Sequence, residues 1–248
     1  MTVLVLGGTG EAVALARMLA EAGIDVLTSI AGRTREPREV AGRIRVGGFG
    51  GIDGLHAFLL REGIRAVIDA THPFAVQISA NAARAAALAN LPRLVLHRPP
   101  WTAVPGDRWV RVPDLEGAAG ALPGGRTALL ALGRQYLLPF AARRDVRFVI
   151  RSIEPATNVH MPQAEFVLAR PSGNEVEEAL FLRSRGVDAI VSRNSGGAGA
   201  YAKIAAARTL GLTVLMIDRP APPPGDRVPS AAEAIDWVLQ QRLDAPAM

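Results

Sequence analysis

Residues 7–11 read Gly-Gly-Thr-Gly-Glu, directly after the apolar run Thr2-Val3-Leu4-Val5-Leu6. Glycines at such a break let the backbone turn tightly and come close to a pyrophosphate. The unpaired N–H groups at the start of the following helix then hold the anion. Gly8, Thr9, Gly10 and Glu11 are therefore candidate cofactor contacts. The spacing departs from G-x-G-x-x-G, because the third glycine position counted from Gly8 is Val13. On the motif alone, a strand–turn–helix with no ligand stays open.

Other residues of chemical promise follow predicted strands. In the first half these are SIAGR (29–33), GGFGG (47–51) and DATHPF (69–74). In the second half they are Gly133-Arg134, Arg151-Ser152, the run from Ser192 through Gly197, and Asp218-Arg219. The first set is glycine and hydroxyl, which suits a nucleotide; the second is rich in arginine, which grips carboxylates through two parallel hydrogen bonds. Cofactor on one half and anionic substrate on the other is the expected division. An NAD site ends its second strand in Asp or Glu. Here that end reads Thr28-Ser29-Ile30-Ala31-Gly32-Arg33, and the strand's acid, Asp25, stands at its start. Ser29 and Arg33, with Arg35 nearby, suit a 2′-phosphate, so NADP is favoured over NAD; a solvated loop with incidental arginines is the other reading.

Single residues carry paired readings. Thr71 and His72 precede Pro73, a residue suited to a first helical turn, so they are helix-capping residues, cofactor contacts, or both. Gly47 and Gly48 are further candidate cofactor contacts. Ser195 and Gly196 form a packing turn or an anion site at a helix start. Tyr201 and Lys203 are two apart, which places them on nearly opposite helix faces and excludes the Tyr-x-x-x-Lys pair of short-chain dehydrogenases. All but one of the 28 basic residues are arginine, the exception being Lys203. A lysine can be tuned to release a proton and an arginine cannot, so Lys203 is a candidate catalytic acid, a carboxylate contact, or a surface residue. Arg134, Arg151, Arg193 and Tyr201 complete the candidate substrate set, and Trp101 either closes a cleft or fills a core.

Stepping from these residues to the elements that hold them, strands and helices alternate throughout, which argues for parallel sheets. The expected architecture is α/β: two Rossmann-like lobes with parallel sheets and a cleft between them. Their predicted extents are 1–97 for a nucleotide-binding lobe and 126–248 for a substrate-binding lobe with a C-terminal helix. The proline-rich stretch 98–125 reads as a connector. Helices are expected at 10–22, 53–62, 74–90, 198–210 and 230–241, among others.

Composition limits the chemistry. The chain has 248 residues and is 49% hydrophobic, ample for a core. It contains no cysteine, so disulfides, thiolate metal sites and cysteine nucleophiles are excluded. The four histidines lack metal-ligand spacing, and no metal is expected. The net charge of +5 is spread along the chain, without the basic tract and aromatics of a nucleic-acid surface. No signal peptide or membrane-length apolar stretch is present, so a cytoplasmic protein is expected, with neither membrane nor nucleic acid as partner. A monomer is compatible with the sequence, which gives no signal for assembly.

GGTGEA (7–12), IAGR (30–33), VGGFGG (46–51), DATHPFA (69–75), RPPW (98–101) and NSGG…AK (194–203) together resemble the precorrin-6A reductase family of cobalamin biosynthesis. The resemblance covers nearly the whole chain, and DATHPFA is its most specific part. It implies NADPH as cofactor and reduction of one carbon–carbon double bond in a polycarboxylate, tetrapyrrole-derived macrocycle. Two further readings stay open on fold grounds: an NADP-sensing protein without catalysis, and a two-lobed glycosyltransferase using a nucleotide sugar.

Overall fold

A computed structural model describes residues 1–32, 39–153 and 159–243, the side chains of Arg242 and Leu243 excepted. The chain forms two units, Met1–Pro99 with Pro220–Met248, and Pro100–Arg219. In the first unit, β1 (Thr2–Leu6) leads through the glycine turn to α1 (Gly10–Glu21). There follow β2 (Asp25–Ile30), β3 (Arg43–Val46), α2 (Gly51–Arg61), β4 (Ile64–Asp69), α3 (Val76–Leu88) and β5 (Arg93–Leu96). The second unit holds β6 (Arg108–Val112), α4 (Leu115–Ala121), β7 (Thr127–Ala131), a 3-10 turn at Arg134–Tyr136 and α5 (Leu138–Ala141). It continues with β8 (Arg147–Ser152), β9 (Ala164–Leu168), α6 (Glu175–Ser184), β10 (Ala189–Arg193), α7 (Ala202–Thr209) and β11 (Thr213–Ile217). The chain ends in β12 (Asp226–Val228) and α8 (Ala231–Leu243), back in the first unit.

The first sheet has the order β12-β5-β4-β1-β2-β3, with every pairing parallel. Read from β3, this is the 3-2-1-4-5-6 order of dinucleotide-binding folds, with β12 in sixth place. The central strand β1 is buried on both faces, as helix-covered parallel strands are. Its side chains alternate between two cores. Val3 and Val5 meet Leu15, Ala16 and Leu19 of α1, whereas Leu4 and Leu6 meet Leu55 and Leu59 of α2.

The second sheet has the order β6-β11-β10-β7-β8-β9, also parallel throughout. Strands β7 to β11 repeat the arrangement of β1 to β5, and the sixth place is taken by β6. Each sheet thus receives its sixth strand from outside its own run. The strand after β5 joins the second sheet, and the strand after β11 joins the first.

That exchange corrects the expected boundaries. Residues 98–125 are not simply a connector, because β6 and α4 are part of the second unit. Pro105 and Pro113 bracket β6 without interrupting it, and Asp114 caps α4 by accepting from the Gly117 N–H at 2.7 Å. The C-terminal helix belongs to the first unit: Ala234 and Val238 lie fully buried in the cluster that contains Leu15 and Leu19. Only three residues form β12, too short to stand out after the proline run 222–224. The helix expected over 198–210 begins only at Ala202.

Candidate active site

The carboxyl edge of the first sheet gathers most of the predicted cofactor residues. Gly7 donates its N–H to the Ser29 carbonyl at 2.8 Å, tying the turn to β2. A Cβ on Gly7 would stand 2.9 Å from the Thr28 methyl, so the close approach needs glycine. Gly8 adopts φ +106°, and nothing lies within 4 Å of where its Cβ would be. That open, left-handed position is a backbone cradle. Thr9 is the N-cap of α1: its hydroxyl accepts from the Ala12 N–H at 3.1 Å and donates to the Ala70 carbonyl at 2.8 Å. The second bond joins α1 to the end of β4. Gly10 opens α1, and Glu11, in its first turn, pairs with Arg98 at 2.7 Å. The Glu11 carboxylate is therefore engaged within the protein.

At the end of β2, Ser29 is buried and stands 3.5 Å from an Arg45 Nη. Arg45 donates to the carbonyls of Gly47 (2.5 Å) and Gly48 (2.7 Å), and its guanidinium lies 4.0 Å over the Phe49 ring. Gly47 adopts φ +114°, and both Gly47 and Gly48 are open on the side a Cβ would fill. Arg45 lies inside β3, where no strand-end motif marks it in the sequence. Arg33, the predicted reader of a 2′-phosphate, lies outside the described residues. After β4, Thr71 donates from N and Oγ1 to Asp69 Oδ1, at 3.2 and 2.7 Å. The His72 Nδ1 accepts from the Phe74 N–H at 3.2 Å, which leaves Nε2 to carry the proton of the neutral ring.

The second unit brings cations together at its own carboxyl edge, though not as a row of open arginines. Arg151, ending β8, is buried and paired on both Nη atoms with Glu178 of α6, at 2.9 and 2.7 Å. Glu178 also accepts from the Ser172 N–H at 2.7 Å. The Arg151 fork is filled, so this geometry gives it a positioning role and not a direct grip on a substrate carboxylate. Arg193, ending β10, stacks 4.7 Å from the Tyr136 ring. Arg134 stands exposed in the 3-10 turn after β7.

Ser195 and Gly196 do not open a helix, since five residues separate Gly196 from the first residue of α7. The helix-dipole part of the expected anion site is therefore absent there. Their loop is instead clamped by the surrounding chain. Asn194 accepts from the Trp101 N–H at 2.8 Å and donates to its carbonyl at 2.9 Å, while the Trp101 indole donates to the Gly197 carbonyl at 2.8 Å. Arg219 donates to the carbonyls of Asn194 and Ser195, each at 2.7 Å. Trp101 is thus a core residue of the second unit. The Tyr201 hydroxyl accepts from Arg208.

Lys203 is buried, not a surface residue. Its Nζ donates to the Ala200 carbonyl at 2.8 Å and lies 5.1 Å from the Trp101 ring centre. Burial is the main force lowering its pKa, from 10.5 to about 8; Glu178 opposes the shift, and Arg151 and Arg193 add to it.

The chain matches the family described as "Precorrin-6x reductase CbiJ/CobK" over residues 2–239. It belongs to that family. The precorrin-6x reductases are oxidoreductases, and this chain is an enzyme that acts on a CH–CH group. It is 46% identical to a precorrin-6A reductase from Sinorhizobium sp over 95% of this chain and 92% of that protein. It is 44% identical to one from Rhodobacter capsulatus, over 95% and 94%. A solved structure titled "CobK precorrin-6A reductase" superposes with a TM-score of 0.93 at 43% identity, covering 97% of both chains. A cobalt-precorrin-6A reductase from Priestia megaterium is more distant, at 30% identity over 88% of this chain and 90% of its own. Family membership sets aside the non-catalytic sensor and the glycosyltransferase. Among the described residues no helix is long and apolar enough to cross a membrane, and no group of three His, Asp or Glu is placed to hold a metal.

Proposed function

We propose that this enzyme reduces one carbon–carbon double bond of a cobalt-free precorrin-6A macrocycle, with NADPH bound on the first unit. The observation that carries the cofactor assignment is the 3-2-1-4-5-6 sheet order with an open glycine turn between β1 and α1. The residues fit a dinucleotide: Gly8 leaves room for a diphosphate, the α1 N-terminus supplies N–H groups, and Ser29 with Arg45 faces the 2′-position. NADPH, when bound, supplies the hydride. The protein's part is to fix the macrocycle and neutralise its carboxylates. Arg193, which ends β10 against Tyr136, and Lys203, held by the Ala200 carbonyl, serve as the anchoring cations. Arg134 is exposed nearby in sequence order, after β7, and adds a flexible carboxylate contact.

Lys203 also answers the proton requirement. With a pKa of about 8 it is mostly protonated at neutral pH and still able to release the proton. A carboxylate anchored against it would raise that pKa again, so anchoring is the role favoured here and solvent supplies the proton. The cobalt-free assignment rests on the higher identity to relatives named for precorrin-6A than to those named for cobalt-precorrin-6A.

Titration of the purified chain with NADPH and NADH tests the cofactor. Arg45→Ala and Arg33→Ala should each weaken NADPH binding by about tenfold or more while sparing NADH, since a charge-assisted contact contributes about 1.5–3 kcal/mol. Equal losses for both cofactors would remove the 2′-phosphate assignment. Incubation with precorrin-6A should oxidise NADPH and add two hydrogens to the macrocycle, and the cobalt-bearing macrocycle should turn over more slowly.

A further inference from the structure

The carboxyl ends of β4 and β5 border a cavity of about 400 Å³ within the first unit. Val95, Leu96 and the proline run 222–224 form its apolar wall, and Asp69, Thr71 and Ser79 its polar floor. Proline has no N–H, so that run offers a rigid wall without backbone donors. Arg93 fixes the run by donating to the Pro224 carbonyl.

Asp69 is almost fully buried. Its Oδ1 is satisfied by the Thr71 N–H and hydroxyl, but Oδ2 is enclosed with no hydrogen-bond partner among the described residues. A buried carboxylate oxygen without a donor is costly. Such an atom at a cavity wall is matched to something that enters the cavity and brings a donor or a positive charge. Its position in the sheet narrows the choice. The strand order reverses between β1 and β4, with the Gly7–Gly10 turn at the reversal and Ser29 and Arg45 on the β2 side. A dinucleotide laid across the turn with its adenosine half towards β2 has its nicotinamide half towards β4 and β5.

We infer that the Asp69 carboxylate is the negative charge beside the nicotinamide half of the cofactor, and that it makes this site prefer the oxidised form. The inference rests on the NADPH reading above. The reduced ring is neutral and the oxidised ring carries one positive charge. A carboxylate at this proline-walled cavity, with Arg93 as its charged neighbour on the protein side, attracts the second more than the first, and the same attraction favours the charge that grows as the ring is oxidised. Asp69 is therefore assigned a share of the driving force for reduction, beyond its bonds to Thr71.

The test is Asp69→Asn in the full chain, which keeps an oxygen for Thr71 and removes the charge. NADP⁺ binding should weaken by about tenfold, and NADPH binding should change by less than about threefold, when each is measured by calorimetric titration. Equal changes for both forms, or none, overturn the assignment. A wild-type chain that binds neither form overturns it together with the cofactor reading, whereas a wild type that binds both leaves the Asp69 comparison to decide this inference alone. If the Asn variant does not fold, Ala80→Trp decides, because Ala80 lines the cavity from an exposed position on α3. Filling the cavity should weaken NADP⁺ binding while leaving 2′,5′-ADP, which lacks the nicotinamide half, bound as in the wild type. Unchanged NADP⁺ affinity in that variant overturns the proposal.

Discussion

At the scale of single residues, Lys203 and Glu178 show how burial sets chemistry. The folded-state pKa of Lys203, about 8, lies below its ordinary 10.5. Between those values the unfolded chain binds more protons than the folded one, so this group makes stability rise with pH across that window. Below about pH 8 the cost of burying the charge is present in full, at most about 3 kcal/mol. Lys203→Met should remove that rise, which thermal unfolding of both proteins from pH 7 to 10.5 would show as a pH-dependent gap that closes. Kinetics separate the roles of the same residue: Lys203→Arg keeps the charge but not a useful acid. A higher KM with kcat nearly kept indicates anchoring, and a fall in kcat with KM unchanged indicates proton donation. Anchoring is the expected result. Glu178→Gln acts on two partners at once. It leaves Arg151 buried without its counter-charge, at a cost of about 3–5 kcal/mol. It also removes the negative charge that raises the Lys203 pKa, so the activity profile should shift to lower pH.

Among elements, the α1 N-terminus does the most to hold the candidate cofactor site. Thr9 satisfies an N–H of the first turn and, through Ala70, ties α1 to β4 across the point where the strand order reverses. Thr9→Val keeps the volume and loses both bonds. It should lower stability by about 1–2 kcal/mol in denaturant unfolding and weaken NADPH binding, because the N–H groups of the turn are no longer held in place. In contrast, the loop at 194–197 is positioned without a helix. Arg219 and the Trp101 indole donate to its carbonyls, and its own Asn194 side chain bonds the Trp101 backbone. The alternation of apolar residues and the glycine turns made most of these elements legible from the sequence. The pairing of Arg151 with Glu178 was not legible, since the two are 27 residues apart on different elements and no local pattern links them.

For the whole molecule, the exchange of sixth strands makes each unit depend on chain remote from its main run. The first unit needs residues 220–243: β12 extends its sheet beside β5, and Ala234 and Val238 of α8 fill the core over α1. A chain ending at Arg219 should therefore lose stability in the first unit, shown by faster amide exchange in β5 and α1 and by loss of NADPH binding. The second unit keeps all six of its strands in that truncation and should retain its Trp101 fluorescence. An equally protected first unit in the shortened chain would show that β12 and α8 are dispensable.

The sequence by itself determined the class of the fold, the duplicated strand–helix plan, the glycine turn and the family, because each is written in local pattern: apolar periodicity, glycine where the backbone must turn, and short runs of side chains at strand ends. It also singled out Lys203, by type alone. Only the tertiary structure decided which sheet β6 and β12 join, for strand pairing is a contest between edges distant in sequence and no residue of a short strand names its partner. The same holds for charge. Whether an arginine grips a ligand or a glutamate of its own chain, and whether a lone lysine is exposed or buried with a lowered pKa, depends on which elements fold over it.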